Sequence, residues 1–467
     1  MNEALGFVMM SWVDPYLLFL TAAGTFAGIY IGAIPGLSVT MAVSILISFT
    51  FKWQVNEALA LISGIFLGGV YGGSRSAILL NIPGAPSAIA TGLDGYPLAK
   101  RGEAGTAIGL TTVVSVFGGF IGILALAVAA PAVSGLALMF APRDYLMLAI
   151  WGILLVGALS GGSLAKGIFA GALGVLIGMV GLDPMTAEPR FTFGSVQMTA
   201  GISYVAAMIG FFGVAEVLVQ LHELTLKAVK QDVSKILPSW GLLKKYLPLS
   251  LRTSAIGVVV GALPGAGADI AAWISYAVSK KFSKEPEKFG TGHIEGIVDA
   301  TSANNAALGG AWIPALVFGI PGDSITAIVI GVLYMKNMNP GPSVFLQNPQ
   351  FIYAVFMIFI LANLLMLPIG WAAIRCARYI LMTPRNVLVP LILLFCIVGS
   401  YAMTNSVYGI IVMLVMGLLG WLLEENGFPV APIILGLVLG TGVGIFASLD
   451  EFQKGYFQDP SRLILAG

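Results

Sequence analysis

The sequence predicts an all-α polytopic membrane protein, and three observations carry that prediction. Of 467 residues, 58% are hydrophobic and only 10% are charged, against roughly 25% charged in a soluble globular domain. Twelve windows free of Asp, Glu, Lys and Arg run from 15–51 to 426–449, and a helix needs about 20 apolar residues to cross the hydrocarbon. Segments such as 387–398 are continuously apolar, which excludes the alternating strands of a membrane β-barrel.

Several windows can hold two helices. The window 104–142 is interrupted at Pro131, and 386–423 at Thr404-Asn405-Ser406. The expectation is roughly 11–14 membrane-embedded helical segments, some of half length. The formal net charge of +1 gives no basic excess for nucleic acid. Cys376 and Cys396 lie in apolar surroundings and read as buried filler. Met1-Asn2-Glu3 has no basic n-region, so the first apolar stretch reads as a permanent span.

The chain divides into a first membrane half (1–221), a basic connector (222–252), a second membrane half (253–449) and a short polar tail (450–467). The connector and its flank carry Lys227, Lys230, Lys235, Lys244, Lys245 and Arg252 against Glu223 and Asp232. A second basic patch holds Lys280, Lys281, Lys284 and Lys288. Basic residues near span ends favour the cytoplasm. The N-terminal flank has only the acids Glu3 and Asp14, so it is expected on the opposite, periplasmic side.

The two halves repeat one another. Gly32-Ala33-Ile34-Pro35-Gly36-Leu37-Ser38-Val39-Thr40 resembles Gly261-Ala262-Leu263-Pro264-Gly265-Ala266-Gly267-Ala268-Asp269 at an offset of 229. Gly72-Gly73 with Asn81-Ile82-Pro83-Gly84 resembles Gly309-Gly310 with Gly319-Ile320-Pro321-Gly322, at an offset of 238 at the prolines. Proline removes a backbone donor, and glycine permits left-handed geometry. Each Pro-Gly should therefore break a helix or turn a re-entrant hairpin inside the membrane. Backbone freed at that depth survives only against protein or a water-filled cavity. Paired breaks in two halves point to a binding site near the midplane. Half-helix N-termini offer N–H groups and positive dipole ends to an anion. A basic connector between the halves and an acidic start fit repeats of inverted topology.

Polar residues gather at the breaks. Gly36, Ser38, Thr40, Arg75, Asn81, Gly84, Ser87, Gly265, Gly267, Asn304, Gly322 and Ser324 are the candidate substrate ligands, because hydroxyls, amides and bare N–H groups donate to carboxylates. Arg75 suits either a substrate carboxylate or an interfacial anchor. Asp269, Asp323, Asn305 and Thr326 are the candidates for a coupling cation, since acids at membrane depth are expensive; helix capping is the other use of the two aspartates. Asp94 and Lys100-Arg101 are expected at the membrane edge. Neither histidine has metal-ligand spacing.

The longest motif runs Gly-Gly-Ser-Arg-Ser-Ala-Ile-Leu-Leu-Asn-Ile-Pro-Gly-Ala-Pro-Ser from Gly72 to Ser87, then Leu93-Asp94-Gly95-Tyr96-Pro97 and Arg101-Gly102. With Gly181-Leu182-Asp183-Pro184, Pro189-Arg190-Phe191-Thr192-Phe193-Gly194, Asn304-Asn305, Gly319-Ile320-Pro321-Gly322-Asp323 and Gly427-Phe428-Pro429-Val430-Ala431-Pro432, it resembles the large membrane subunit of the tripartite tricarboxylate transporters over roughly residues 15–445. That resemblance implies a multi-pass permease of a bacterial inner membrane. Its partners would be a small membrane subunit and a periplasmic solute-binding protein. Its substrates would be di- or tricarboxylates, or aromatic carboxylates, taken up with Na+ or H+ and no other cofactor. The alternative is a stand-alone carrier or channel without a binding protein. An enzyme is not expected. Gly265-Ala266-Gly267-Ala268-Asp269 is one residue too long for a Gly-x-Gly-Asp protease motif, and neither His-Glu-x-x-His nor a phosphate loop occurs.

Overall fold

The computed structural model describes residues 14–34, 37–81, 84–140, 144, 147–148, 150–152, 154–155, 163–182, 188–222, 238–380 and 385–441. Helices dominate them, and the one sheet among the described residues is a two-stranded pairing of Gly181–Leu182 with Pro189–Arg190. The first half contains α1 (Pro15–Ala33), α2 (Val39–Thr50), α3 (Val55–Leu80), α4 (Ile89–Leu98), α5 (Ala104–Ala137), α6 (Leu164–Gly178) and α7 (204–222, π-helical over Ile209–Val214). The second contains α8 (Trp240–Gly261), α9 (Gly267–Phe282), α10 (Ile294–Phe318), α11 (Ser324–Met335), α12 (Pro349–Ile380), α13 (Arg385–Thr404), α14 (Val407–Glu425) and α15 (Ala431–Thr441).

Among the described residues, five segments are long and apolar enough to cross a bilayer: Pro15–Ala33, Val55–Leu79, Pro86–Ala137, Pro349–Ala373 and Val407–Glu425. Others are too short to cross alone. α2 and α11 have 12 residues each, or about 18 Å of rise. Large apolar side chains such as Phe19, Leu124, Val128 and Val415 are exposed on the long helices, as a lipid solvent allows. By contrast, α10 is buried from Gly296 to Val317.

One expected interruption is absent. α5 runs through Pro131 without ending; a proline removes a single backbone donor, and a packed membrane helix absorbs that loss. The break at 404–406 is present. Asn405 turns left-handed at φ 51°, and Ser406 caps α14 by accepting from the Tyr408 N–H at 3.1 Å.

The repeat recurs contact by contact. α1 and α3 lie so close that a Cβ on Gly28 would strike the Ile65 carbonyl, and one on Gly32 the Gly69 carbonyl. α8 and α10 do the same at the equivalent positions: Gly257 meets the Ala303 carbonyl and Gly261 that of Ala307. Gly72 against Ile29 is matched by Gly310 against Val258. Small residues let membrane helices approach at backbone distance, where dispersion and weak polar contacts hold them.

The equivalent helices run in opposite directions. At one end of the bundle, the Lys336 ammonium after α11 donates to the carbonyls of Thr50 (3.1 Å), Phe51 and Trp53 (2.6 Å), just before α3 starts. At the other end, Asp94 on α4 accepts from Tyr276 of α9 and from the chain just before α10. Hence α3 leads from the Lys336 end towards the Asp94 end, and α10 leads back. The short arms α2 and α11 descend together to the first end; α4 and α9 rise together to the second.

Asp94, at this end of the bundle, is not open to the surroundings. It is fully buried and accepts four hydrogen bonds: from the Tyr276 hydroxyl at 2.8 Å, the Gly290 and Gly292 N–H groups at 2.9 Å and the His293 N–H at 2.7 Å. Those donors satisfy its charge, so it can be buried. Arg101 does lie at the surface and donates to the Thr291 carbonyl at 2.6 Å.

Candidate functional site

The site is built from the ends of broken helices. α3 ends at Asn81 with φ 58°, and α10 ends at Gly319 with φ 66°. The two residues are equivalent in the repeat, and each stops its helix in the left-handed conformation. At the Pro264 break, Gly265 (φ 78°) and Gly267 (φ 53°) turn the chain into α9. Pro35, Gly36, Ile82 and Pro83 lie outside the described residues.

All four helices that follow a break start at the same place. A cavity of about 220 Å³ is walled by Ser38, Val39 and Thr40 at the start of α2, and by Pro86 and Ser87 in the turn that leads into α4. Ala268 and Asp269 of α9, and Ser324 and Ile325 of α11, complete the polar wall. A second cavity of about 350 Å³ shares Asp269, Asp323, Ser324, Phe212 and Glu424 with it and adds Gly265 and Gly267. These sizes are near the lower limit of ligand pockets, roughly 300–1,000 Å³, and suit a small molecule. Each α-helix N-terminus carries about half a positive charge and N–H groups without intrahelical partners.

Caps hold this wall in shape. Ser38 Oγ accepts from the Met41 N–H at 3.0 Å. Asp323 Oδ1 accepts from the Thr326 N–H and from Thr326 Oγ1, both at 2.7 Å, while Thr326 Oγ1 accepts from the Asp323 N–H at 2.8 Å. That reciprocal capping box fixes the start of α11. The Ser87 N–H faces the Asp269 carboxylate, so the breaks of the two halves meet at the chamber.

Of the candidates read from sequence, Ser38, Thr40, Gly84, Ser87, Asp269, Asp323 and Ser324 line the first cavity, and Gly265 and Gly267 the second. Gly322 packs against Ala311 beside the wall, and Thr326 stands behind Asp323. Arg75, Asn81, Asn304 and Asn305 are not on the wall. Arg75 is buried with its guanidinium 6.0 Å from the Tyr71 ring. Asn81 caps α3 and is exposed. Asn305 faces α5, where its Nδ2 donates to Ser115 Oγ and to the Thr301 carbonyl, both at 3.0 Å, and to Asn304 Oδ1 at 2.6 Å. Helical phase directs it away from the chamber.

The wall includes residues that sequence reading passed over: Phe66, Phe211, Phe212, Glu216 and Glu424. Both glutamates end an apolar window, at 215 and 423, where they read as span ends. An acid closing such a window was the available signal. With Asp269 and Asp323 they bring four carboxylates to the wall, which carries no Lys or Arg among the described residues.

Helices interrupted within an apolar bundle, with the starts that follow the breaks gathered around one chamber, define a polytopic membrane transporter. A family model described as the tripartite tricarboxylate transporter TctA family matches residues 18–435, and the chain belongs to that family. It is 34% identical over 442 residues to an uncharacterized 52.8 kDa protein in the TAR-I ttuC' 3'region of Agrobacterium vitis, covering 94% of this chain and 87% of the relative. It is also 35% identical over 184 residues to a protein in the TAR-II ttuC' 3'region of the same organism, covering 39% of this chain and 76% of that relative. No solved structure matches the chain.

Proposed function

We propose that this protein imports small carboxylates across a bacterial inner membrane. It would draw on a Na+ or H+ gradient, beside a small membrane subunit, and take its substrate from a periplasmic binding protein. The convergence of four helix starts on one chamber carries this reading. Their N–H groups and dipole ends favour an anion, and the Ser38, Thr40, Ser87 and Ser324 hydroxyls add donors. An anion beside four carboxylates needs cations between them. Asp269, Asp323, Glu216 and Glu424 are the groups to hold those cations, which ties anion entry to cation entry.

The Asp94 end carries Lys280, Lys281, Lys284, Lys288 and Arg101, and the positive-inside bias puts it in the cytoplasm. The arms α2 and α11 then point to the periplasm, and α4 and α9 to the cytoplasm. Movement of one arm pair relative to the other would open the chamber to each side in turn.

Uptake into proteoliposomes containing the purified protein and its partners tests the reading. A carboxylate panel should be run with sodium and pH gradients imposed separately. Accumulation of at least one carboxylate under one gradient is the expected result. No accumulation of any under either gradient counts against it.

A further inference from the structure

Asp299 stands apart from the chamber. It lies near the start of α10 and is fully buried. Neither of its carboxylate oxygens has a hydrogen-bond partner, and it lines neither cavity. Asp94, equally buried, receives four hydrogen bonds. Two acids in one interface are thus treated in opposite ways.

Four helices bring a polar or charged group towards Asp299. α8 brings Arg252, α9 brings Ser279 and Tyr276, α4 brings Asp94, and α10 itself brings Glu295. The one cation among them is already engaged, because Arg252 Nη2 donates to Ser279 Oγ at 2.9 Å. Tyr276 donates to Asp94. Glu295 accepts from Ser283 Oγ at 2.6 Å and lies 3.4 Å from His293 Nε2. No ion pair joins Asp299 to any of them.

We propose that Asp299 is a proton-binding site, separate from the cation sites of the chamber. A bare carboxylate with no donor costs several kcal/mol in a dry interior, and one proton removes that charge and supplies an O–H. Ser279 faces the carboxyl without a hydrogen bond to it, and its oxygen becomes an acceptor for that O–H once the two approach. Sodium suits the site less, because it needs several oxygens around an open space. The proton comes from water at the end where Arg252 is exposed. One O–H bond forms on uptake and breaks on release, with no electron transfer. Asp299 sits where α4 and α9 meet α10, so displacement of either arm changes the groups that face it and hence its hold on the proton. This inference rests on the surroundings of α10 and would survive failure of the chamber reading.

Infrared difference spectra of the full-length protein in lipid nanodiscs, between neutral and alkaline pH, test it. The wild type should show a protonated-carboxyl C=O band at neutral pH. Asp299→Asn should remove one component of it, while Asp269→Asn and Asp323→Asn should leave that component in place. Ser279→Ala keeps the carboxyl and should shift the same component, which covers the case in which Asp299→Asn does not fold. A band unchanged in Asp299→Asn, or unmoved in Ser279→Ala, would overturn the proposal.

Discussion

Gly267 lies so close to Asp323 that a Cβ added to it would sit 2.8 Å from the aspartate's own Cβ. The two residues open α9 and α11, so the starts of these arms pack backbone to backbone beside the chamber. Gly267 is also left-handed, at φ 53°. Gly267→Ala should therefore cost about 1–3 kcal/mol and lower the thermal midpoint in detergent. Gly135→Ala, where nothing lies within 4 Å of the added Cβ, should leave it unchanged or raise it. Equal midpoints for the two variants would contradict the close approach.

Asp323 caps a helix and faces the chamber, and one substitution separates these uses. Asp323→Ser keeps an N-cap oxygen and should hold stability within about 1 kcal/mol while raising the cation concentration needed for half-maximal uptake. Asp269→Asn should raise it too. Unchanged cation dependence in both variants would remove these carboxylates from the coupling site.

The same assay applied to Glu216→Gln and Glu424→Gln asks whether the outer two acids hold cations. Each should weaken the cation dependence of uptake without abolishing substrate binding, which isothermal titration would follow.

Asp94 joins α4 to the chain before α10. Asn at this position can keep one oxygen on the three N–H groups, but it turns an NH2 towards the Tyr276 hydroxyl and loses the charge that those donors satisfy. Asp94→Asn should therefore cost about 3 kcal/mol, whereas Tyr276→Phe, which removes one of four donors, should cost about 1 kcal/mol. Thermal unfolding of both variants checks the order, and the reverse order would be incompatible with the geometry.

Lys336 supplies the ammonium for three carbonyls at the end of α2. Lys336→Met keeps the stem and loses the charge, at about 1–3 kcal/mol. Amide hydrogen exchange in the last turn of α2 should rise, although the substitution is in the other half of the protein.

Much of the fold was legible in the chain. The scarcity of charge set the solvent as lipid, and the lengths of the uncharged windows set the helices, because both are properties of composition. The Pro-Gly repeats gave the breaks and the relation between halves, since proline and glycine act locally on the backbone. Pro131 marks the limit: the same residue type that ends helices elsewhere is passed over inside α5, because a lone proline with no glycine after it costs one backbone bond without turning the chain.

The site was legible only in part. Ser38, Ser87, Asp269 and Asp323 could be found because each adjoins a break, and the breaks meet. Asn304 and Asn305 could not be placed, because their direction depends on the rotation of α10 against α5. The burial of Asp94 could not be read, because the 290–293 segment that covers it is distant in sequence. Glu216 and Glu424 looked like span ends until α7 and α14 closed against the arms. The sequence by itself determined the lipid environment, the helices, their interruptions and the twofold repeat, all consequences of local backbone chemistry and hydropathy. Tertiary structure alone decided which polar groups share the chamber and which acid is left without a donor, because those depend on contacts between segments far apart in the chain.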